Sequence, residues 1–291
     1  MSSKEIILER ARSVAALPIQ TLEIIDLVQN PDVAMSQLQE LIERDPGMTS
    51  NVLRMANSPS FRGVYEIGSI REALVRLGTK TVLELAVASA VAPVARQPVA
   101  GYDMPAGELL THSVVTATTA NELAKHLKID VNPRVFTAAL LHDIGKTVLG
   151  TFIQVNPQPI IDLAFVEHIP FDEAELRVLG TNHPEVGAVL LESWGLPKTI
   201  VNAVAFHHRP DFCPDSDRSA AEFVHVADIL GRLCGLGVGV DGLNYTASPE
   251  AVHHFQITTH VAEEVTAKMI DTVSDMLDVF DVQAGSESHG N

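Results

Sequence analysis

The sequence has little sulfur, little aromatic surface and little positive charge. Of 291 residues only Cys213 and Cys234 are cysteines, one is tryptophan, and 5% are aromatic. Two thiols cannot build a disulfide framework or a four-thiolate zinc site; they fit a reducing compartment, with a single bridge left open. The 20 Lys+Arg face 37 Asp+Glu, a formal net charge of −17, and no three basic residues are consecutive. Without a basic stripe to neutralise phosphates, duplex nucleic acid is excluded as a partner. A phosphorylated ligand would need a local positive centre, for which a bound metal is the obvious candidate. Long apolar runs are missing too. The longest, residues 82–95, contains Glu84 and Pro93 and falls short of the ~20 residues that span a bilayer. Residues 1–10 already carry Lys4, Glu5, Glu9 and Arg10, unlike a signal peptide. The expectation is a soluble, cytoplasmic protein that leaves membranes alone.

Hydrophobic residues make up 46% and charged ones 20%, which excludes global disorder and supplies enough material for a sizeable core. Helix punctuation is dense. Asp45-Pro46 places a capping carboxylate before a first-turn proline, and Ser69-Ile-Arg-Glu72 reads as a capping box closed by Gly78. Asn132-Pro133, His183-Pro184 and Ser248-Pro249 mark further starts; Pro93, Gly180 and Gly195 mark stops. Leu22, Ile25, Leu38, Leu41 and Ile42, and then Val261, Val265, Met269, Val273 and Met276, follow helical period. No two alternating runs are joined by a hairpin turn, so the chain reads as all-α. Residues 209–219 and the glycine-rich 235–242 read as loops. The expected organisation is an N-terminal helical part over 1–100, a histidine-bearing helical part over 101–282, and a disordered tail over 283–291.

The strongest local chemical signal is Leu140-Leu141-His142-Asp143-Ile144-Gly145-Lys146. An imidazole beside a carboxylate, after an apolar helix and before a glycine, places two metal-ligating groups where they can converge on one ion. Lys146, three residues past Asp143, falls on the same side of a continuing helix. Glu108 and His112 share a helix face at i and i+4. His183 opens one helix, His207-His208 ends another, and Asp228 sits inside an apolar one. Each has an ordinary alternative: Glu108 and Lys146 as solvated charges, His112 and His183 as hydrogen-bonded core histidines, His207-His208 as cations at a helix C-terminus. Asp228 is the hardest to explain so, because a buried carboxylate needs a charged partner. His126, His168, His253, His254, His260 and His289 read as surface residues. His225, three before Asp228, stands either with them or behind the set.

The order His112, His142-Asp143, His183, His207-His208, Asp228 resembles the HD-domain superfamily of metal-dependent phosphohydrolases. The resemblance is closest to its HDOD branch, the HD-related output domains of bacterial signalling. Leu17-Pro18, the run from Ile42 to Thr49, Val52-Leu-Arg-Met-Ala-Asn57-Ser58, Ser69 to Ala73 and Leu77-Gly78 carry it in the N-terminal half. His183-Pro-Glu-Val-Gly187 and Leu191-Glu-Ser-Trp-Gly-Leu-Pro197 extend it, so that it runs from about Leu17 to Leu230.

The resemblance implies a multi-helix HD-like core with an N-terminal helical subdomain. It implies one metal held by His112, His142, Asp143 and Asp228, and a second, bridged by Asp143, on His183 and His207. In the related HD-GYP phosphodiesterases of cyclic di-GMP, counterparts of Glu108 and His208 join an enlarged site and that of Lys146 contacts phosphate. Imidazole and carboxylate without thiolate suit iron or manganese better than structural zinc. Two features depart from that pattern. After Lys146 the chain reads Thr-Val-Leu-Gly-Thr-Phe, without the Gly-Tyr-Pro-type loop, and Arg209 follows His208 where glutamate is usual. The resemblance therefore favours a regulatory output module with a signalling partner, retaining a two-metal site. The alternative is an active phosphohydrolase with a phosphorylated nucleotide as ligand.

Overall fold

The computed structural model describes residues 2–27, 35–59, 61, 63–132, 134–242 and 244–286. In chain order its helices are α1 (Ser3–Arg12), α2 (Ile19–Leu27), α3 (Met35–Glu43), α4 (Pro46–Ala56), α5 (Ile70–Leu77), α6 (Thr79–Ala95), α7 (Glu108–Leu127), α8 (Arg134–Leu141), α9 (Lys146–Ile153), α10 (Gln158–Glu167), α11 (Phe171–Leu179), α12 (His183–Ser193), α13 (Lys198–Phe206), α14 (Arg218–Arg232), α15 (Pro249–His254) and α16 (Thr259–Ser286). Short 3₁₀ turns lie at Ala100–Tyr102 and Pro210–Phe212. Among the described residues one isolated bridge, Val99 with Met104, is the sole β-type pairing. The all-α reading holds. No single described helix is long and apolar enough to cross a membrane; α5 and α6 meet that test only jointly and bend by 117°.

The chain divides into two compact units, one of residues 1–16 and 94–267, the other of 17–93 and 268–291. In the second unit the expected caps form: Asp45 accepts from Met48 N and Ser69 from Glu72 N, and Gly78 ends α5 at φ 81°. Ile25, Leu38, Leu41, Ile42, Val52, Leu74, Met269 and Val273 build its core. Asn57 staples the connection after α4, donating to the Leu53 and Ile67 carbonyls at 2.8 and 2.9 Å and accepting from Ile67 N at 2.8 Å. The expected stop at Pro93 is overrun, because α6 continues to Ala95. Proline forfeits one backbone bond, to the carbonyl four residues back, and this close to a helix end little helix remains to be disrupted. Helix α16 likewise includes residues 283–286 of the expected tail; Pro133, His289 and the rest of the tail lie outside the described residues.

In the first unit α7 is the axis. Its small and branched residues Val114, Val115, Ala117 and Ala120 are buried around the helix, and α8 and α14 pack along it. Helix α13 packs on α8, α12 and α14, and α9 packs on α12. Every element that carries a metal-type side chain is thus held by another.

Candidate metal centre

His142-Asp143-Ile144-Gly145 forms the turn between α8 and α9 rather than continuing the helix. Buried Val135, Phe136, Leu140 and Leu141 fix α8 in front of it. Gly145 lets α12 approach: a Cβ there would lie 2.1 Å from the His183 carbonyl oxygen and 2.5 Å from Gly187 N. That close approach sets His183, first residue of α12 after its Asn182 cap, beside Asp143. His207 caps the C-terminus of α13, His112 lies in α7, and Asp228 in α14.

These side chains meet in two donor groups, Asp143, His183, His207 and His208, and His112, His142 and Asp228. Asp143 joins them. Its Oδ2 lies 3.3 Å from Nε2 of both His112 and His142, and its Oδ1 lies 3.2 Å from His183 Nε2 and 3.7 Å from His207 Nε2. Asp228 Oδ1 is 3.1 Å from His112 Nε2 and 3.5 Å from His142 Nε2. Each seated donor side chain is 4% exposed or less.

The outer nitrogens fix the tautomers. Nδ1 of His142 and of His207 each lie 2.7 Å from a carbonyl oxygen, of Ala139 and Val204, and a carbonyl only accepts. His183 Nδ1 is 2.9 Å from Glu175 Oε2. The Nε2 lone pairs therefore point inward, the arrangement typical of metal-ligating histidine. Nε2 of His112 and His142 face each other at 3.1 Å, as do those of His183 and His208. Asp143 Oδ1, Asp228 Oδ2, His207 Nε2 and His208 Nδ1 are buried without a hydrogen-bond partner. Facing ring nitrogens and orphaned acceptors call for a cation among them, a proton or a metal ion, so the residues fit a metal.

The electrostatics agree. Burial pushes His142 down, but Asp143 and Asp228 outweigh it and bring the imidazole up to about 9; Glu175 and Asp143 do the same for His183, also about 9. His207 and His208 fall well below the ordinary histidine value, through burial and then the neighbouring imidazoles. Burial opposes ionisation of Asp143 and Asp228, yet Lys146 and Arg232 respectively hold them well below the usual carboxylate range. A pocket that draws protons onto imidazole by surrounding carboxylates draws metal cations for the same reason.

Of the sequence candidates, Glu108 stands outside both donor groups, one turn before His112 at the start of α7. Lys146 is present but not solvated: its Nζ lies 2.7 Å from Asp143 Oδ2 and 2.6 Å from Asp241 Oδ2. His225 stands behind the set, its Nδ1 donating to the His207 carbonyl at 2.7 Å while its Nε2 accepts from Ser248 N at 2.8 Å. Four participants escaped the sequence reading. Arg232 pairs with Asp228 at 2.8 Å, and its i,i+4 spacing was the available signal. Glu175 accepts from Tyr102 Oη at 2.6 Å and from His183 N at 2.8 Å. Asp241 and Tyr245 come from the segment after α14, where no local pattern marked them.

Comparison with solved structures follows the same lines. An HDOD domain protein of unknown function from Geobacter sulfurreducens aligns over 94% of this chain and 98% of its own, with TM-score 0.73 and 24% identity. A candidate signal-transduction protein from Marinobacter aquaeolei aligns over 92% of this chain and 59% of its own, at TM-score 0.70 and 20% identity. A candidate phosphohydrolase from Shewanella amazonensis aligns over 94% and 97%, at TM-score 0.67 and 25% identity. Among curated sequences the chain spans only 44% and 16% of the relatives it matches. The HDOD domain family itself matches residues 14–210, which covers the turn of His142 and Asp143, the start of α12 and the His207-His208 pair. With more than half of its length inside that match, the chain belongs to the HDOD domain family.

Proposed function

We propose that the chain is a regulatory output module of signal transduction, built around a closed site for two divalent transition-metal ions, iron or manganese. His112, His142 and Asp228 would hold one ion and His183, His207 and His208 the other, with Asp143 available to both. Closure is the observation that carries this reading. Structural metal sites are closed, whereas catalytic ones keep a position open to substrate, and here the donor side chains are 4% exposed or less. The likeness to a candidate signal-transduction protein supports a signalling context for that output.

Elemental analysis of the chain purified without chelators tests the metals, with about two equivalents expected; less than one overturns the assignment. The loaded protein is then offered cyclic dinucleotides, nucleotides and generic phosphodiesters. Silence across that panel is expected, and turnover of any member overturns the regulatory role.

One observation favours a second reading, a metal-dependent phosphohydrolase acting on a cyclic dinucleotide or nucleotide. Lys146 and Arg232 stand against the carboxylates of the centre, where cations would hold a phosphoryl oxygen. A bound metal pair would supply Lewis acidity and an ionised water there. The likeness to a candidate phosphohydrolase runs the same way, and the substrate panel separates the two.

A further inference from the structure

Beside the metal-type donors lies a second charged cluster that their chemistry does not require. Lys146 Nζ is 2.6 Å from Asp241 Oδ2, and Arg232 Nη1 is 3.5 Å from the same oxygen. Both cations also reach the metal-type carboxylates, Lys146 to Asp143 at 2.7 Å and Arg232 to Asp228 at 2.8 Å. Asp241 thus presents a carboxylate to two cations at the edge of the centre. The fit is incomplete: Asp241 Oδ1 and Arg232 Nη2 are buried and have no hydrogen-bond partner. A carboxylate has two oxygens to offer here, and a tetrahedral oxyanion has more.

The carrier of Asp241 is a glycine-rich connection. Residues 235–242 include Gly235, Gly237, Gly239 and Gly242, with Gly235 and Gly237 at φ 68° and 66°. Gly237 rests on α7 so closely that a Cβ would lie 2.5 Å from His112 N. The segment forms no helix, and Val240 N donates to the Tyr102 carbonyl at 2.9 Å. Beyond it Tyr245 stacks on His208 at 4.1 Å and lies under the Arg232 guanidinium at 4.6 Å. His208 also lines a cavity of about 500 Å³ with Pro184, Phe206 and Phe212.

Charge completes the argument. Asp241 is the carboxylate of this cluster that stands outside the metal-type donor groups, and a pair of divalent ions would add positive charge beside it. Withdrawing Asp241 leaves Lys146 on Asp143 and Arg232 on Asp228 but removes the counterion that the two cations share, which is costly unless another anion takes its place. The segment therefore has a reason to stay until such an anion arrives.

We propose that Asp241 is an internal plug: its carboxylate fills an oxyanion subsite made by Lys146 and Arg232, and residues 235–242 withdraw when the phosphate group of a ligand replaces it. The exchange makes the closed centre responsive to a phosphorylated small molecule, the event the output module would report. The metal reading enters only through the added positive charge.

Calorimetric titration with inorganic phosphate tests the plug, on wild type and Asp241→Asn, each with its metal content measured. Asp241→Asn removes the competing charge and is expected to bind phosphate at least tenfold tighter. Equal or weaker binding by a folded variant with wild-type metal content overturns the plug and leaves the metal reading intact. Tighter binding in protein that holds no metal supports the plug and rejects the metal reading. Hydrogen exchange on the wild type covers a variant that fails to fold. Phosphate, against chloride at equal ionic strength, should speed exchange in 235–242 severalfold, and unchanged or slower exchange there overturns the proposal.

Discussion

The two units solve the same problem, holding helices together, with different materials. In residues 17–93 and 268–291 the buried side chains are aliphatic or methionine almost throughout, and the buried polar groups among the described residues are Thr21, Asn51 and Asp275. The other unit buries His142, Asp143, Lys146, His183, His207 and Asp228 at 1% exposure or less. Each buried ion costs several kcal/mol in lost hydration, and well-packed hydrocarbon of the same volume holds helices at least as well. The unit that buries hydrocarbon shows what packing alone asks for. The charge in its neighbour is in excess of that demand, and a cation among the donors is what the excess fits.

The sharpest way to break the comparison is Asp143→Ala. Removing the bridging carboxylate leaves Lys146 with one counterion and separates the two donor groups, so we expect a loss of about 3–5 kcal/mol in denaturant unfolding. Elemental analysis should find the metal gone. Wild-type metal content in the folded variant would make the cluster a mere salt-bridge network. Next in size is Leu38→Ala, at a fully buried position in the aliphatic unit. A cavity there should cost about 2–5 kcal/mol while the folded protein keeps its metal, and metal loss would show that the two units do not divide these roles.

The aliphatic unit was the more legible one. Asp45-Pro46, Ser69 and Gly78 act at once, through bonds to residues three or four away, so a local pattern suffices. The donor set was legible for another reason: His142-Asp143, His183-Pro184 and His207-His208 sit at helix ends, where caps and glycines fix the backbone. What supports them was not. Glu175 lies in the amphipathic α11, where it looks like any solvent-facing acid until α12 arrives with His183. Asp241 is placed by a glycine-rich segment whose course depends on contact with α7 and Tyr102, and no periodicity encodes such a contact. Glu108 shares a helix face with His112 through its i,i+4 spacing, while the donor groups gather one turn further along α7.

Glu175 offers a finer test, because it touches the donors without being one. Its carboxylate accepts from Tyr102 Oη, His183 N and His183 Nδ1, which orients His183 and raises its basicity. Glu175→Gln turns an acceptor into a partial donor against the same protons. We expect metal affinity, measured by competition with a chelator, to fall about 10–100-fold with helicity retained. Unchanged affinity would mean that packing alone holds His183.

The smallest effect belongs to the aliphatic unit's surface and carries no metal dependence. The Gly68 N–H bonds to the Glu72 carboxylate at 3.1 Å, and with the Ser69 hydroxyl it holds that carboxyl below the ordinary glutamate value. A folded-state value below the unfolded one adds stability at pH above the unfolded value, and the gain is lost as pH falls through the folded one. Wild type should therefore exceed Glu72→Gln slightly near neutrality, and the gap in unfolding midpoint should close as pH falls through and below the ordinary glutamate range. The sign is what matters. A gap that widened toward acid would mean that the neutral carboxyl is the better partner for Gly68, and that this unit, too, keeps an ionisable group for something other than capping.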